Sequence, residues 1–235
     1  MEMSPVYSGA SPDEVWPLIR DYHYAQKMPS NLQTKEYIFA VRQPGGLLGD
    51  NGDVLAVAIF GFPAGGRWQR HVLELQRLVR TPEYNGALSQ LVSHSVKWLR
   101  ARTGAPFVVS YADPEEGHHG GVYQACGWHY VGQSKEKRRG FLTDTGEFLH
   151  RTSARKLVSG AKSDRDIIAA RPEWRLLKGE PKHLYFAPLR MRLKPILRRQ
   201  QWRIQPYPKP DNAARPDDAP VPTGVSQVQP LGAAP

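Results

Sequence analysis

The sequence predicts a mixed α/β (α+β) fold, with a central sheet flanked by helices. Three observations predict it. Residues 54–60 form an almost unbroken apolar run of strand length, the pattern of a strand covered on both faces. Leu88, Leu91, Val92, Val96 and Leu99 recur at helical spacing in a segment too long for a strand. Residues 107–109 are a short apolar strand that runs straight into the polar stretch Ser110-Tyr111-Ala112-Asp113. Polar side chains crowding the end of an apolar strand mark the place where open α/β sheets hold ligands.

The elements follow in order. Ser11-Pro12-Asp13-Glu14 is a helix start, with a serine cap, a proline at the first helical position and Glu14 closing a capping box. Val15, Leu18 and Ile19 give that helix its apolar face, and it runs into Asp21-Tyr22-His23-Tyr24 before Pro29 ends any continuation. His23 draws notice there because the ordinary imidazole pKa suits proton transfer near neutrality. Residues 37–41 and 54–60 are strands, punctuated by Pro44, Gly45 and Gly46 and by Asp50, Asn51, Gly52 and Asp53. Residues 71–79 alternate as a strand, although Glu74 and Arg77 within it need a partner, either each other or a substrate.

Pro82 breaks that strand, and Asn85 is the expected cap of a helix reaching about residue 101. Ser89 in its first turn is placed to face an anionic ligand. After the strand at 107–109 and its polar exit through Asp113 comes a glycine- and histidine-rich loop with His118. A short helix then carries Tyr123 and stops at Gly127. Residues 128–131 read as a strand, 135–139 as a basic turn, and 141–149 as a hairpin around residues 143–146.

Charge is unevenly placed. The net charge is +10, yet residues 1–134 are close to neutral. Residues 171–209 hold eleven Lys and Arg against two Glu, interleaved with Trp174, Tyr185, Phe186 and Trp202. Basic groups neutralise phosphates and aromatic rings stack on exposed bases, so this part predicts nucleic-acid contact. The expected organisation is a catalytic domain over 1–158, a basic, aromatic-rich extension over 159–209 and a proline-rich, disordered tail over 210–235. Cys126 is the only cysteine, which excludes an internal disulfide and a cysteine-based zinc site and suits a cytoplasmic protein. No apolar run is long enough to span a membrane, so no membrane association is expected.

The order of elements resembles the acetyltransferase fold of the GNAT superfamily, which implies a central mixed, mostly antiparallel sheet flanked by helices, with the basic C-terminal part as an extension. Leu78-Val79-Arg80-Thr81-Pro82-Glu83-Tyr84-Asn85-Gly86 looks like that superfamily's strand-to-helix crossing. Tyr123, three residues, Gly127 and Trp128 are similar to its tyrosine, glycine and aromatic pattern. The resemblance implies that Tyr123 protonates the leaving group. One departure bears on the donor. The superfamily's pyrophosphate loop is Gln or Arg, two residues, Gly, one residue, then Gly or Ala, whereas Asn85-Gly86-Ala87-Leu88-Ser89 keeps a single glycine. Acetyl-CoA is accordingly a weaker expectation than the fold alone implies.

The chain more closely resembles the Mom family of bacteriophage DNA-modification proteins, over about residues 20–209. The resemblance rests on four motifs: His23-Tyr24 with Met28-Pro29; Glu74-Leu75 with Arg77-Leu78; Ser110 to Asp113; and Gly117-His118, Gly120 and Tyr123-Gln124-Ala125; the closing Pro206-Tyr207-Pro208-Lys209 is similar as well. It implies conversion of adenine in double-stranded DNA to N6-carbamoylmethyladenine, which shields phage DNA from restriction, in the host bacterial cytoplasm. It also implies functional roles for His23, Tyr24, Arg77, Ser89, Asp113 and Tyr123, to which the residues add Ser110 and His118 as substrate contacts.

Atom counting favours an activated glycine as donor. Acetyl transfer lacks the product's nitrogen, whereas a glycyl amide is an isomer of the product, so glycyl-tRNA is the expected carrier and tRNA a second partner. In that scheme Asp113 or His23 receives or orients the amine proton. Two histidines and a carboxylate can also bind iron, which makes His23, Asp113 and His118 an alternative metal site. A coenzyme A-dependent N-acetyltransferase and a non-enzymatic DNA-binding protein are the other two classes the sequence admits, and a dimer is compatible with either.

Overall fold

The computed structural model describes residues 6–29, 37–44, 52–63, 68, 71–134 and 137–209. The expected tail over 210–235, most of the turn between the first two predicted strands and the start of the predicted basic turn at 135–139 lie outside the described residues.

Among the described residues there are ten strands and six helices. The main sheet contains β1 (Val6–Gly9), β2 (Ile38–Arg42), β3 (Val54–Gly61), β4 (Leu73–Arg80), β5 (Phe107–Ala112), β10 (His183–Pro188) and β6 (His129–Gln133), in that spatial order. Every neighbouring pair is antiparallel except β4 with β5. The mixed, mostly antiparallel sheet flanked by helices is the fold class the sequence predicts.

Helix α1 (Pro12–Tyr22) starts as predicted. Ser11 accepts from the Glu14 amide at 3.3 Å, and Glu14 accepts from the Ser11 amide at 2.7 Å. Val15 and Ile19 then pack on Ile38, Ala40, Val57 and Ile59, on one face of the sheet. Helix α2 (Leu88–Arg102) packs Leu91, Val92, Val96 and Leu99 against Phe39, Ala58 and Phe60 on the other. Each such apolar side chain contributes roughly 1.5–3 kcal/mol by leaving water. This double cover explains why β3 is apolar almost throughout. Helix α6 (Leu193–Gln200) completes the first face, with Ile196 among Phe107, Val109, Leu184 and Phe186.

Two expectations need correction. Asn85 does not cap α2. The helix begins two residues later, with Ala87 at the cap position and no side-chain bond. The boundary at 158/159 also fails, because β10 lies inside the main sheet between β5 and β6. A strand with neighbours on both sides cannot belong to an appended extension. The separate unit is instead an insertion between β6 and β10. It contains β7 (Lys137–Leu142), β8 (Phe148–His150), β9 (Arg175–Gly179), α4 (Arg151–Leu157) and α5 (Asp164–Ala170), closed over Phe141, Leu149, Ala154 and Ile167. Buried Asp164 ties it together by accepting from Arg151 at 3.0 Å. Strand β1 has no counterpart in the predicted order. Among the described residues no helix is long and apolar enough to cross a membrane.

Candidate active site

The parallel strands β4 and β5 pair only at Leu73 with Val108 and Glu74 with Val109. Beyond those pairs the ladder stops and a cleft of about 500 Å³ opens. Leu75, Gln76 and Leu78 line one wall and Tyr111, Ala112 and Asp113 the other. A bulge in β4 shapes the first wall. Ile59 faces Arg77 and Phe60 faces Leu75, so Gln76 is an extra residue in the ladder. The bulge flips the alternation: Leu73 and Leu75 enter the α2-side core, whereas Val79 enters the α1-side core. Bulges concentrate beside active sites because they re-aim the backbone.

Helix α3 (Gly121–Ala125) delivers Tyr123 to the cleft. Its phenol oxygen lies 2.8 Å from Ser110 Oγ, which also lies 3.0 Å from the Leu75 carbonyl oxygen. Burial pushes the Tyr123 phenol up to about 12, against the opposing effect of the Ser110 hydrogen bond. Tyr123 therefore holds its proton at neutral pH. The ring stacks on Trp128 with centroids 5.3 Å apart and leans on Tyr185 at 5.3 Å. Tyr185 donates to the His119 carbonyl at 2.6 Å, and Gln124 donates to Tyr185 at 3.0 Å. Gly120, just before α3, has φ +86, and a Cβ there would overlap the Tyr185 ring. Only glycine satisfies both conditions. The C-terminal strap closes the back of this arrangement: Tyr207 donates to the Trp128 carbonyl at 2.8 Å, and Gln124 reaches the Pro208 carbonyl at 3.3 Å.

His23 ends α1 and is buried. Its Nδ1 accepts from the Ala25 amide at 3.0 Å. Burial, with Arg77 and His118 nearby, pushes this imidazole down to about 4. A neutral imidazole whose Nδ1 accepts carries its proton on Nε2. His23 is therefore a hydrogen-bond donor at neutral pH. Tyr24 stacks on it at 4.5 Å and meets His118 across the cleft at 6.2 Å.

Arg77 acts at one remove. Its Nε donates to the Lys27 carbonyl at 2.9 Å and its Nη1 to the Gln76 carbonyl at 2.7 Å. One guanidinium thus ties the loop after His23 and Tyr24 to the β4 bulge. It does not line the cleft.

Asp113 caps the 3-10 turn Pro114–Glu116, accepting from the Glu115 amide at 3.2 Å, and pairs with Lys182. Lys182 precedes β10, whose first residue pairs with Ala112. The carboxylate is buried, with its acceptor capacity shared between the turn and the ammonium.

The structure brings His23, Tyr24, Asp113, His118 and Tyr123 to one cleft. Ser110 stands behind Tyr123. Ser89 is not among the lining residues, and its carbonyl accepts from the Cys126 thiol at 3.3 Å. Gly86, the one glycine of the superfamily's loop kept here, is accounted for by the Tyr84 ring, which fills the space a Cβ would need. The iron alternative does not assemble. Among the described residues no group of three or more His, Cys, Asp or Glu is placed to hold a metal ion. Sequence reasoning did not single out Lys182, Gln124 or Tyr185 as parts of the site. The only signal was a Lys-His pair opening a strand, and its neighbours come from a segment about seventy residues earlier.

The model of the Mom protein family matches residues 10–209. No curated protein matches the chain. Among solved structures, the ribosomal-protein-S18-alanine N-acetyltransferase from Escherichia coli is 14% identical, with 81% of this chain and 97% of that chain covered, at a TM-score of 0.46. yncA from Salmonella typhimurium, solved with its cofactor acetyl-CoA, is 12% identical, with 80% and 95% covered, at 0.45. A GNAT family N-acetyltransferase, YhbS, from Escherichia coli in complex with CoA is 14% identical, with 53% and 68% covered, at 0.35.

Proposed function

The chain belongs to the Mom protein family, and from that premise we propose that it is an acyltransferase-type enzyme that converts adenine in DNA to N6-carbamoylmethyladenine. The proposed donor is an activated glycine carried as an ester on tRNA, and the proposed setting is the host bacterial cytoplasm. The observation that supports acyl transfer at this cleft is its pairing of opposite proton roles. Tyr123 and His23 hold protons at neutral pH, and Asp113, paired with Lys182, offers acceptor oxygens in the same cleft.

The adenine leaves the duplex stack, at a cost of a few kcal/mol, and stacks against Tyr24 at the open side of the cleft. Asp113 accepts a hydrogen bond from the N6 amine and receives its proton as the nitrogen attacks the glycyl carbonyl. Lys182 pairs with the carboxylate until that moment. The carbonyl oxygen gains negative charge and accepts from His23 Nε2–H. Tyr123 passes its proton to the departing ester oxygen, and Ser110 supports the phenolate that remains.

The glycyl amide then rearranges. Its free amine attacks C6 to form a five-membered spiro intermediate. The bond from C6 to the original N6 breaks, and that nitrogen takes up a proton and becomes the terminal amide. The atoms balance with no further reactant. The test is purified protein incubated with DNA and either glycyl-tRNA or acetyl-CoA. The proposal expects a carbamoylmethyl group on N6 with the first donor alone. An N6-acetyl product from the second would overturn the assignment of the donor.

A further inference from the structure

Two stretches of the chain contain no acidic residue, 84–112 and 181–209. The fold packs them together. Arg100 donates to the Pro188 carbonyl at 3.1 Å, and Arg190 donates to the carbonyls of Thr103 and Ala101 at 3.1 Å each. This junction lies where β5 begins and β10 ends, at the opposite end of the strands from Asp113 and Tyr123. The six residues of β5 put the two ends about 20 Å apart at the usual rise per residue.

A second cleft, of about 570 Å³, opens at this end. Trp68, His71, Met191 and Arg199 are among its walls. Trp68 is fixed in place: its indole N–H donates to Gln200 at 2.9 Å, and Phe107 and Trp202 meet it edge-on at 6.3 and 5.4 Å. Arg199 is exposed at its wall, and Arg192, Lys194 and Arg198 are exposed at the start of and along the same helix, α6. Like charges gathered together repel one another, and a polyanion relieves that repulsion. An aromatic wall within reach of such cations is the combination that holds a nucleic-acid strand whose bases are unpaired.

We infer that this end of the molecule is a second nucleic-acid site, separate from the reaction cleft. It takes a single-stranded stretch, with phosphates on Arg192, Lys194, Arg198 and Arg199 and one unpaired base against Trp68, His71 and Met191. The inference goes beyond the proposed reaction, whose adenine is bound at the Tyr123 cleft.

The test is fluorescence anisotropy of the full-length protein with short labelled oligonucleotides over a range of salt. The probes are one sequence as single-stranded DNA, as single-stranded RNA and as duplex DNA. Single strands of both kinds are expected to bind, with RNA preferred only where its 2′-hydroxyl is also contacted. The combined R192A, K194A and R198A variant is expected to bind about a hundredfold more weakly at 0.1 M salt and to lower the salt slope by about 2. His71→Ala is expected to weaken binding about tenfold with the slope unchanged, the signature of a lost stacking contact. Tyr123→Phe is expected to bind the oligonucleotide as the parent does while losing modification, which separates this site from the reaction. Unchanged single-strand binding by the triple variant would overturn the inference. So would duplex DNA that displaces the single strand at equal concentration and depends equally on the three basic residues.

Discussion

Ser110 Oγ lies 2.8 Å from the Tyr123 phenol oxygen and 3.0 Å from the carbonyl oxygen of Leu75. The carbonyl can only accept, and the serine has one proton. When that proton goes to Leu75, Tyr123 donates to Ser110. When it turns to Tyr123, the phenol proton is released toward the cleft. The pair thus gives Tyr123 a place to keep its proton and a donor to support the phenolate once the proton is lost. Tyr123→Phe is therefore expected to slow modification by about a hundred- to ten-thousand-fold. The ring stack on Trp128 survives in that variant, so the melting temperature should stay close to the parent's. Single-turnover rates alongside thermal denaturation check this, and an unimpaired rate would remove Tyr123 from the chemistry.

His23 carries a pH signature. Its folded pKa of about 4 lies below the ordinary 6.5, so the unfolded chain binds the proton more readily between those values. The stability this group contributes is complete above pH 6.5 and is lost as pH falls through the window down to about 4. Activity should show no titration of His23 near neutrality, because the group is already a neutral donor there. Histidine NMR titration reads the value directly. His23→Ala is expected to lower kcat about a hundredfold or more, the loss expected for one oxyanion donor.

Arg77 is a positioning residue, and its clasp links the loop after His23 to the β4 bulge. Arg77→Met frees the Lys27 carbonyl and removes a positive charge from the surroundings of His23. The expected result is a fall in kcat together with a His23 titration that moves up from about 4 toward 6.5. A fall in kcat without that movement would place Arg77 on substrate instead.

Gly120→Ala tests the backbone behind the site. The new methyl would meet the Tyr185 ring at a φ of +86. Strain and overpacking of this kind each cost about 1–3 kcal/mol. Chemical denaturation should show a loss of that order, together with weaker modification as α3 shifts Tyr123.

How much of this was legible beforehand depended on distance along the chain. The α1 cap, the doubly covered β3 and the apolar stripe of α2 are local patterns, and each formed as read, apart from the start of α2. The five cleft residues were found through short motifs at strand and helix ends. Lys182 was not, because its partnership with Asp113 arises only when β10 passes an insertion of some fifty residues and enters the sheet beside β5. The same entry turned an expected basic extension into core. Arg77 was expected to pair with Glu74 or a substrate, but nothing local to its strand reveals that the Lys27 carbonyl is its partner. The bulge at Gln76, which sets that direction, is a property of the pairing with β3 and leaves no mark in the alternation that a single strand shows.

The central claim is that the Tyr123 cleft transfers a glycyl group to adenine N6 with Asp113 as proton acceptor. Mass spectrometry of nucleosides from the DNA of cells expressing the protein tests it most directly, with Asp113→Ala expressed alongside. N6-carbamoylmethyl-2′-deoxyadenosine is expected in DNA from the parent, carrying label beyond that of ordinary deoxyadenosine when cells are fed isotopic glycine. The variant should give ordinary adenine and still bind DNA. Unmodified adenine with the parent protein, or full modification with Asp113→Ala, would contradict it.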